Sequence, residues 1–268
     1  MADHDRNAAV DSRHLQIVEM VRAQGFVSVE HLADALGVTP QTIRRDIKAL
    51  DGRGLLIRHH GGVRVPISTE NTAYRSRSNW AVEEKRRIAR LVAEHVPDDS
   101  SVFINIGTTT EEVARALLAR SRLRVVTNNI HVAMTLMAKP DFEIVMAGGL
   151  LRNKDGGIVG EAAVEFMAQF RADIGIIGVS GIDRDGALLD FDFREVRVAQ
   201  TIIARSRKVF LVADRSKFGR SAMVQICDMA RITALFTDGA VPEPYRSAIL
   251  AGGTSIVEPG MAEAAAAL

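Results

Sequence analysis

Residues 38–62 read Val38-Thr39-Pro40-Gln41-Thr42-Ile43-Arg44-Arg45-Asp46-Ile47-Lys48-Ala49-Leu50-Asp51-Gly52-Arg53-Gly54-Leu55-Leu56-Ile57-Arg58-His59-His60-Gly61-Gly62. Thr39 is an expected N-cap, and Pro40 fits the first helical position, where a missing N–H costs nothing. Ile43, Ile47 and Leu50 are spaced by four and three, so one face of this helix is apolar. Gln41, Thr42, Arg44 and Arg45 fall largely on the other side. Leu55–Ile57 and Val63–Val65 then predict a hairpin turned near Gly61-Gly62, with Arg58, His59 and His60 at its tip. A proline-started basic helix followed by a basic hairpin is the layout of a winged helix-turn-helix.

Working outward, Ser12 is an expected cap of a first helix carrying Leu15, Ile17, Val18 and Val21, which Gly25 stops. Ser28 caps a second, with Val29, Leu32, Ala33 and Leu36 inward and Gly37 at its end. The head is therefore expected over residues 10–65. Gln41 and Arg44 have the donors to read base edges, Arg45 to read or to grip phosphate, and the wing residues to meet the backbone or minor groove. Asp46 is expected to orient an arginine rather than touch DNA.

Charge distribution agrees. The chain has a formal net charge of only +1, yet residues 1–40 sum to −3 and residues 41–66 to +4. Local rather than total charge attracts a polyanion. The basic stripe coincides with the helix and hairpin.

Here the sequence resembles the DeoR family of bacterial repressors. Thr42-Ile43-Arg44-Arg45-Asp46-Ile47, Leu50, Gly54-Leu55 and Arg58-His59-His60-Gly61-Gly62 match that family's N-terminal signature. Val63 stands where many members have alanine, a departure expected to affect wing packing only.

The remainder is long enough for a second domain. The chain has 268 residues, 47% of them hydrophobic, which is ample for a large core. Pro66–Thr72 breaks periodicity, so residues 66–80 are expected to link the head to a domain over 81–260. Trp80 is expected to pack against that second domain. Candidate strands are Val102–Ile106, Leu123–Thr127, Phe142–Ala147, Asp173–Val179, Val209–Ala213, Ile232–Thr237 and Ser255–Glu258, with helices such as Glu111–Leu118 and Glu195–Ser206 between them. Alternation of this kind predicts an α/β domain with a mainly parallel sheet.

Ligands bind such sheets beyond the carboxyl ends of the strands. Gly107-Thr108-Thr109-Thr110 follows one strand and opens a helix, offering N–H groups and hydroxyls to a phosphate. Glu111 and Glu112 would repel that anion if turned inward. Thr127-Asn128-Asn129 and Gly148-Gly149 follow the next two strands, and Arg152 can pair bidentately with phosphate. These stretches are the candidate effector site. A plain helix cap is the alternative for Gly107–Thr110.

The second half also resembles the sensor domain of the same family, whose fold is similar to ribose-phosphate isomerases and CoA transferases. Ile106–Glu111, Thr127–Asn129, Asp155–Ala162, Gly181–Asp183, Leu188–Arg197 and Asp214–Arg220 match its glycerol 3-phosphate-responsive subgroup. Phe193 replaces a tyrosine usual there. The resemblance implies a repressor that binds double-stranded operator DNA; because one reading helix covers only a half-site, a homo-oligomer, dimer or tetramer, is expected. It implies release by a small phosphate ester, glycerol 3-phosphate first and another sugar or polyol phosphate as the alternative. It also carries over Lys85, Asp214 and Lys217 as effector residues.

An isomerase-like enzyme is the alternative of a different class, with Asp183, Asp190, Asp192 and Glu195 as candidate carboxylates. Fold analogy alone does not establish chemistry, and a DNA reader on the chain argues against catalysis. No cofactor is expected. No metal site is expected either, because the histidines lack ligand spacing. The single cysteine, Cys227, fits a reducing cytosol. No segment approaches the roughly 20 apolar residues of a membrane span, and the charged N-terminus lacks a secretion signal's apolar core. A cytoplasmic location is therefore expected.

Overall fold

The computed structural model describes residues 12–21, 26–59, 61–64 and 74–260. The chain divides into two compact units between Ala81 and Val82.

In the first unit, residues 12–21 form helix α1. Strand β1 (Phe26–Ser28), helices α2 (Val29–Leu36) and α3 (Pro40–Gly52), strands β2 (Ile57–His59) and β3 (Gly62–Arg64), and helix α4 (Tyr74–Ser78) follow. Ser12 is already helical, so it lies within α1 rather than capping it. Ser28 caps α2 by accepting from the His31 N–H, and Gly37 ends that helix in the left-handed conformation at φ 63°. The strands form an antiparallel sheet in the order β1-β3-β2, and Gly61 turns the wing with φ 73°. Leu15, Ile17, Val18, Leu32, Ile43, Ile47, Leu50, Leu56 and Val63 make the core.

Trp80 and Ala81 belong to this same core, with Trp80 only 5% exposed. The expectation that Trp80 packs against the second domain is thereby corrected. Its indole stacks on His14 and lies under Arg53, both in the head, a choice of partner that no local pattern reports. Of the rest of the expected linker, Tyr74–Ser78 is the helix α4, and residues 66–73 lie outside the described residues.

The second unit opens with α5 (Val82–Glu94), β4 (Ser101–Ile104), α6 (Thr108–Leu117), β5 (Arg124–Thr127), α7 (Ile130–Leu136) and β6 (Glu143–Met146). The hairpin β7 (Leu150–Leu151) and β8 (Ile158–Val159) leads to α8 (Glu161–Ala168), β9 (Ala172–Gly178), β10 (Gly181–Ile182) and β11 (Ala187–Asp190). The chain closes with α9 (Phe193–Arg205), β12 (Ser206–Val212), β13 (Val224–Asp228), β14 (Ala234–Phe236), α10 (Tyr245–Ala251) and β15 (Ser255–Val257). A seven-stranded sheet runs β15-β14-β12-β9-β4-β5-β6, with every pairing parallel. These are the seven strands expected from the sequence.

Both faces of the sheet are covered. Val209 and Leu211 of β12 enter one core, while Phe210 and Val212 enter the other. That is why the strands read as continuous apolar runs without alternation. The hairpin β7–β8 and the small sheet β10-β11-β13 were not anticipated, being two to five residues long and broken by glycine and aspartate. Among the described residues no helix is long and apolar enough to cross a membrane.

Candidate nucleic-acid interface and ligand site

Helix α3 is set by its own first turn. Thr39 Oγ1 accepts from the Thr42 N–H at 3.2 Å, and Pro40 starts the helix. Ile43, Ile47 and Leu50 are buried, which leaves Gln41, Arg44, Arg45 and Lys48 exposed and Thr42 half-buried. Arg44 Nη2 lies 3.6 Å from Glu30 Oε1, with both side chains more than 60% exposed. Such a pair is weak and screened, so Arg44 remains available to a polyanion.

Asp46 is 2% exposed and accepts from Arg13 Nε at 2.6 Å and Nη2 at 3.2 Å. It orients an arginine, as expected. His14 Nε2 lies 3.2 Å from Oδ1, the oxygen that also accepts from Arg13 Nη2. The side chain of Arg58 on β2 is exposed and His59 ends that strand, whereas His60 lies outside the described residues. Val63 is fully buried in the head, consistent with a packing role.

In the second unit the expected ligand residues gather at the carboxyl edge of the sheet in two groups. One sits at the ends of β12 and β14. Asp214 is fully buried, and burial alone would raise its carboxyl. Lys217, hydrogen bonds from Ser216 and then Lys85 outweigh that and hold it below the ordinary carboxylate range. Lys85, Asp214 and Lys217 are thus brought together. The sequence reading missed Glu84 and Asp238, both pushed upward first by burial and then by neighbouring carboxylates. Asp238 also accepts from the Arg215 N–H at 2.8 Å and Nε at 3.1 Å. Thr237-Asp238 follows its strand as Asp214 follows β12, and that parallel was the available signal.

The other group sits beyond β4, β5 and β6. Gly107 is the N-cap of α6 with φ 152° and no side-chain cap bond, so the first N–H groups of that helix are not capped. Several expected donors are engaged internally. Thr110 Oγ1 donates to the Asn105 and Gly107 carbonyls, and Thr127 Oγ1 to that of Ile104. Asn129 Oδ1 caps α7 by accepting from the His131 N–H, and its Nδ2 donates to Glu111 Oε1 at 3.3 Å. Glu111 is therefore turned inward, while Glu112 pairs with Arg115. Asn128 Nδ2 donates to the Ile158 carbonyl. Thr108 and Thr109 are buried, and Gly148 and Gly149 are exposed beyond β6.

Arg152 differs most from expectation. Its guanidinium, 6% exposed, meets Asp155 through two bonds at 3.0 and 2.6 Å, Asp192 at 2.8 Å and Glu195 at 2.7 Å. Burial works against its charge, but these carboxylates outweigh it and hold the guanidinium more firmly protonated than usual. Its donors face protein carboxylates rather than an open site. Asp192 also caps α9, and Asp183 and Asp190 each accept from the next residue's N–H. The carboxylates weighed for catalysis thus have caps, turns or ion pairs as partners.

Along this edge four buried polar atoms have no hydrogen-bond partner among the described residues: Asn105 Oδ1, Asn128 Oδ1, Asp214 Oδ2 and Thr237 Oγ1. They follow β4, β5, β12 and β14. Asn105 and Thr237 were not anticipated, because each falls within an expected strand, Val102–Ile106 and Ile232–Thr237. Buried polar groups usually find partners, so such a row marks the edge as unusual. The two groups flank β9 and stand roughly 10 Å apart at about 4.8 Å per strand. Among the described residues no cluster of histidine, cysteine, aspartate or glutamate is placed to hold a metal ion.

A basic helix-turn-helix head followed by an α/β unit of this kind defines a ligand-sensing transcriptional regulator. Residues 13–69 match the DeoR-like helix-turn-helix domain and residues 80–239 the DeoR C-terminal sensor domain. The chain belongs to the DeoR family. It is 54% identical over 230 residues to the glycerol-3-phosphate regulon repressor of Escherichia coli (strain K12), covering 86% of this chain and 91% of that protein. The repressor of the same description in Haemophilus influenzae is 50% identical over 231 residues, covering 86% and 90%. The HTH-type transcriptional repressor CsqR of E. coli (strain K12) is 43% identical over 247 residues, covering 92% and 95%. Among solved structures, ribose 5-phosphate isomerase A from Methanocaldococcus jannaschii aligns with 52% of this chain and 55% of its own at TM-score 0.39 and 14% identity. The protein is a DNA-binding transcriptional repressor, not an enzyme.

Proposed function

We propose that the chain represses genes of glycerol metabolism in the cytoplasm and leaves its operator when glycerol 3-phosphate binds. The observation that carries the reading is the division of α3 into a buried apolar face and an exposed face of Gln41, Arg44, Arg45 and Lys48. Gln41, Thr42 and Arg44 read base edges in the major groove, Arg45 grips phosphate or a base, and Arg58, His59 and His60 meet the backbone or minor groove. One such helix covers a half-site, so the working form is a homo-oligomer, dimer or tetramer.

The effector occupies the carboxyl edge of the sheet. Lys85 and Lys217 supply charge to its phosphate and Asp214 accepts from its hydroxyls. Gly107–Thr110, Thr127–Asn129 and Gly148-Gly149 line the remainder. Arg152 joins only by exchange, the incoming phosphate competing with Asp192 and Glu195. Effector must prefer the state that docks poorly on DNA, because equal affinity shifts nothing.

Arg44→Ala is expected to weaken operator binding by about 1–3 kcal/mol and to relax base preference at one position. Fluorescence anisotropy with operator and mutated duplexes reads both; unchanged affinity removes Arg44 from the interface. Lys217→Ala is expected to keep operator binding while blunting release by glycerol 3-phosphate. Full release at the wild-type concentration excludes it as a contact. Calorimetry tests the effector itself: glycerol 3-phosphate binding no better than inorganic phosphate would defeat that identity and leave the regulator intact.

A further inference from the structure

We propose that Trp80 is a positioning residue for the recognition helix and the joint through which effector occupancy alters operator affinity. The indole contacts the machinery of α3 at two places. It stacks on the His14 ring with centroids 6.2 Å apart and planes 9° from parallel, and His14 Nε2 reaches Asp46 in the middle of α3. The guanidinium of Arg53, the C-cap of α3, lies 5.6 Å from the ring centroid. Asp46 is also held by Arg13, through Nε to Oδ2 and Nη2 to the same Oδ1 that faces His14. Trp80 therefore packs against both the brace on the middle of α3 and the residue that ends it.

The covalent chain supplies the second half of the argument. Ala81 follows Trp80, is 2% exposed, and adopts φ 52°, a left-handed conformation uncommon for a residue with a Cβ. The division between units falls directly after it, and α5 starts at Val82. Lys85, on the first turn of α5, is among the cations acting on buried Asp214. Lys85, at the proposed effector site, thus follows five positions after an indole packed in the reader's core, across the bend at Trp80-Ala81. In the proposed joint, a shift of the first turn of α5 reaches the indole through Ala81. Withdrawing the ring removes the stack on His14 and the cation–π partner of Arg53 together.

This inference rests on the proposed effector site, and the test separates the two. Trp80 is the only tryptophan of the chain, so its emission reports this one position. Full-length protein on labelled operator duplex is titrated with glycerol 3-phosphate while anisotropy follows DNA release and indole emission follows Trp80; calorimetry is run on the same preparation. Release accompanied by a change in emission, with the same midpoint, supports the joint. Release with heat of binding and unmoved emission overturns it, whereas absence of heat removes the effector reading and the joint with it. Trp80→Phe, which keeps a stacking ring, is expected to retain operator affinity within about threefold and to retain release. Trp80→Ala is expected to weaken operator binding about tenfold and to make effector affinity equal with and without DNA, since coupling is reciprocal. If Trp80→Ala binds operator and responds to effector as Trp80→Phe does, the inference fails.

Discussion

Leu50→Ala is expected to abolish operator recognition at growth temperature while leaving effector binding intact. Leu50 is fully buried in the core of the head, beside Ile43, Ile47 and Leu56. Truncating such a side chain removes about 2–5 kcal/mol, from lost transfer energy plus the cavity left behind. A core of this size rarely supplies more than about 3–5 kcal/mol in total. The loss is therefore comparable with the whole stability of the head, and the binding-competent fraction falls with it. Apparent affinity drops by that same fraction. Anisotropy with an operator duplex measures the loss, and calorimetry with glycerol 3-phosphate checks that the sensor survives. Operator affinity within twofold of the parent protein would mean that the head has far more reserve than its core implies.

Arg152→Ala is expected to destabilise the sensor domain by about 3 kcal/mol, the lower end for breaking a buried charge pair. The low end applies because Asp192 and Glu195 keep 16% and 15% exposure and are partly screened once unpaired. The effect remains large because one guanidinium serves three carboxylates, and its removal leaves Asp155, 3% exposed, without that partner. Urea unfolding measures the change; a midpoint unaltered by the substitution refutes the account of Arg152 as the clasp between the β7–β8 hairpin and α9. Acid has a related effect. Burial would raise the Asp192 carboxyl, but hydrogen bonds from Arg194 and Arg152 reverse this and hold it well below the usual range. A depressed folded value stabilises above the ordinary carboxylate pKa near 4, and that contribution is lost as pH falls toward the folded value. Arg152→Ala should therefore flatten the acid limb of the stability curve.

Legibility followed the range of the signals. Thr39, Pro40, Ile43, Ile47 and Leu50 specify α3 and its exposed face within one stretch of chain, and the structure keeps them in those roles. The seven strands of the main sheet were legible because a sheet covered on both faces demands short, uninterrupted apolar runs. Gly107, Asn129 and Asp214 were likewise expected at the carboxyl edge, because that position follows from topology. What escaped was the choice of partner. Arg152 carries the donors of a phosphate ligand, yet its carboxylates at Asp192 and Glu195 lie forty or more residues along the chain. Glu111 turns inward to Asn129, and Trp80 joins the head, through contacts of the same non-local kind.

By itself, then, the sequence determined the helix-turn-helix head, its basic face, the parallel sheet and the family. Each of these depends on periodicity, capping and residue type over a few consecutive positions. Tertiary structure alone decided which polar groups satisfy one another: Arg152 with three carboxylates, Asp46 with Arg13 and His14, and Asn105, Asn128, Asp214 and Thr237 with a buried polar atom left over. The physical reason is that a buried charge or hydrogen-bonding atom must find its complement wherever folding places one. That location is set by the packing of distant elements, not by neighbours in the chain.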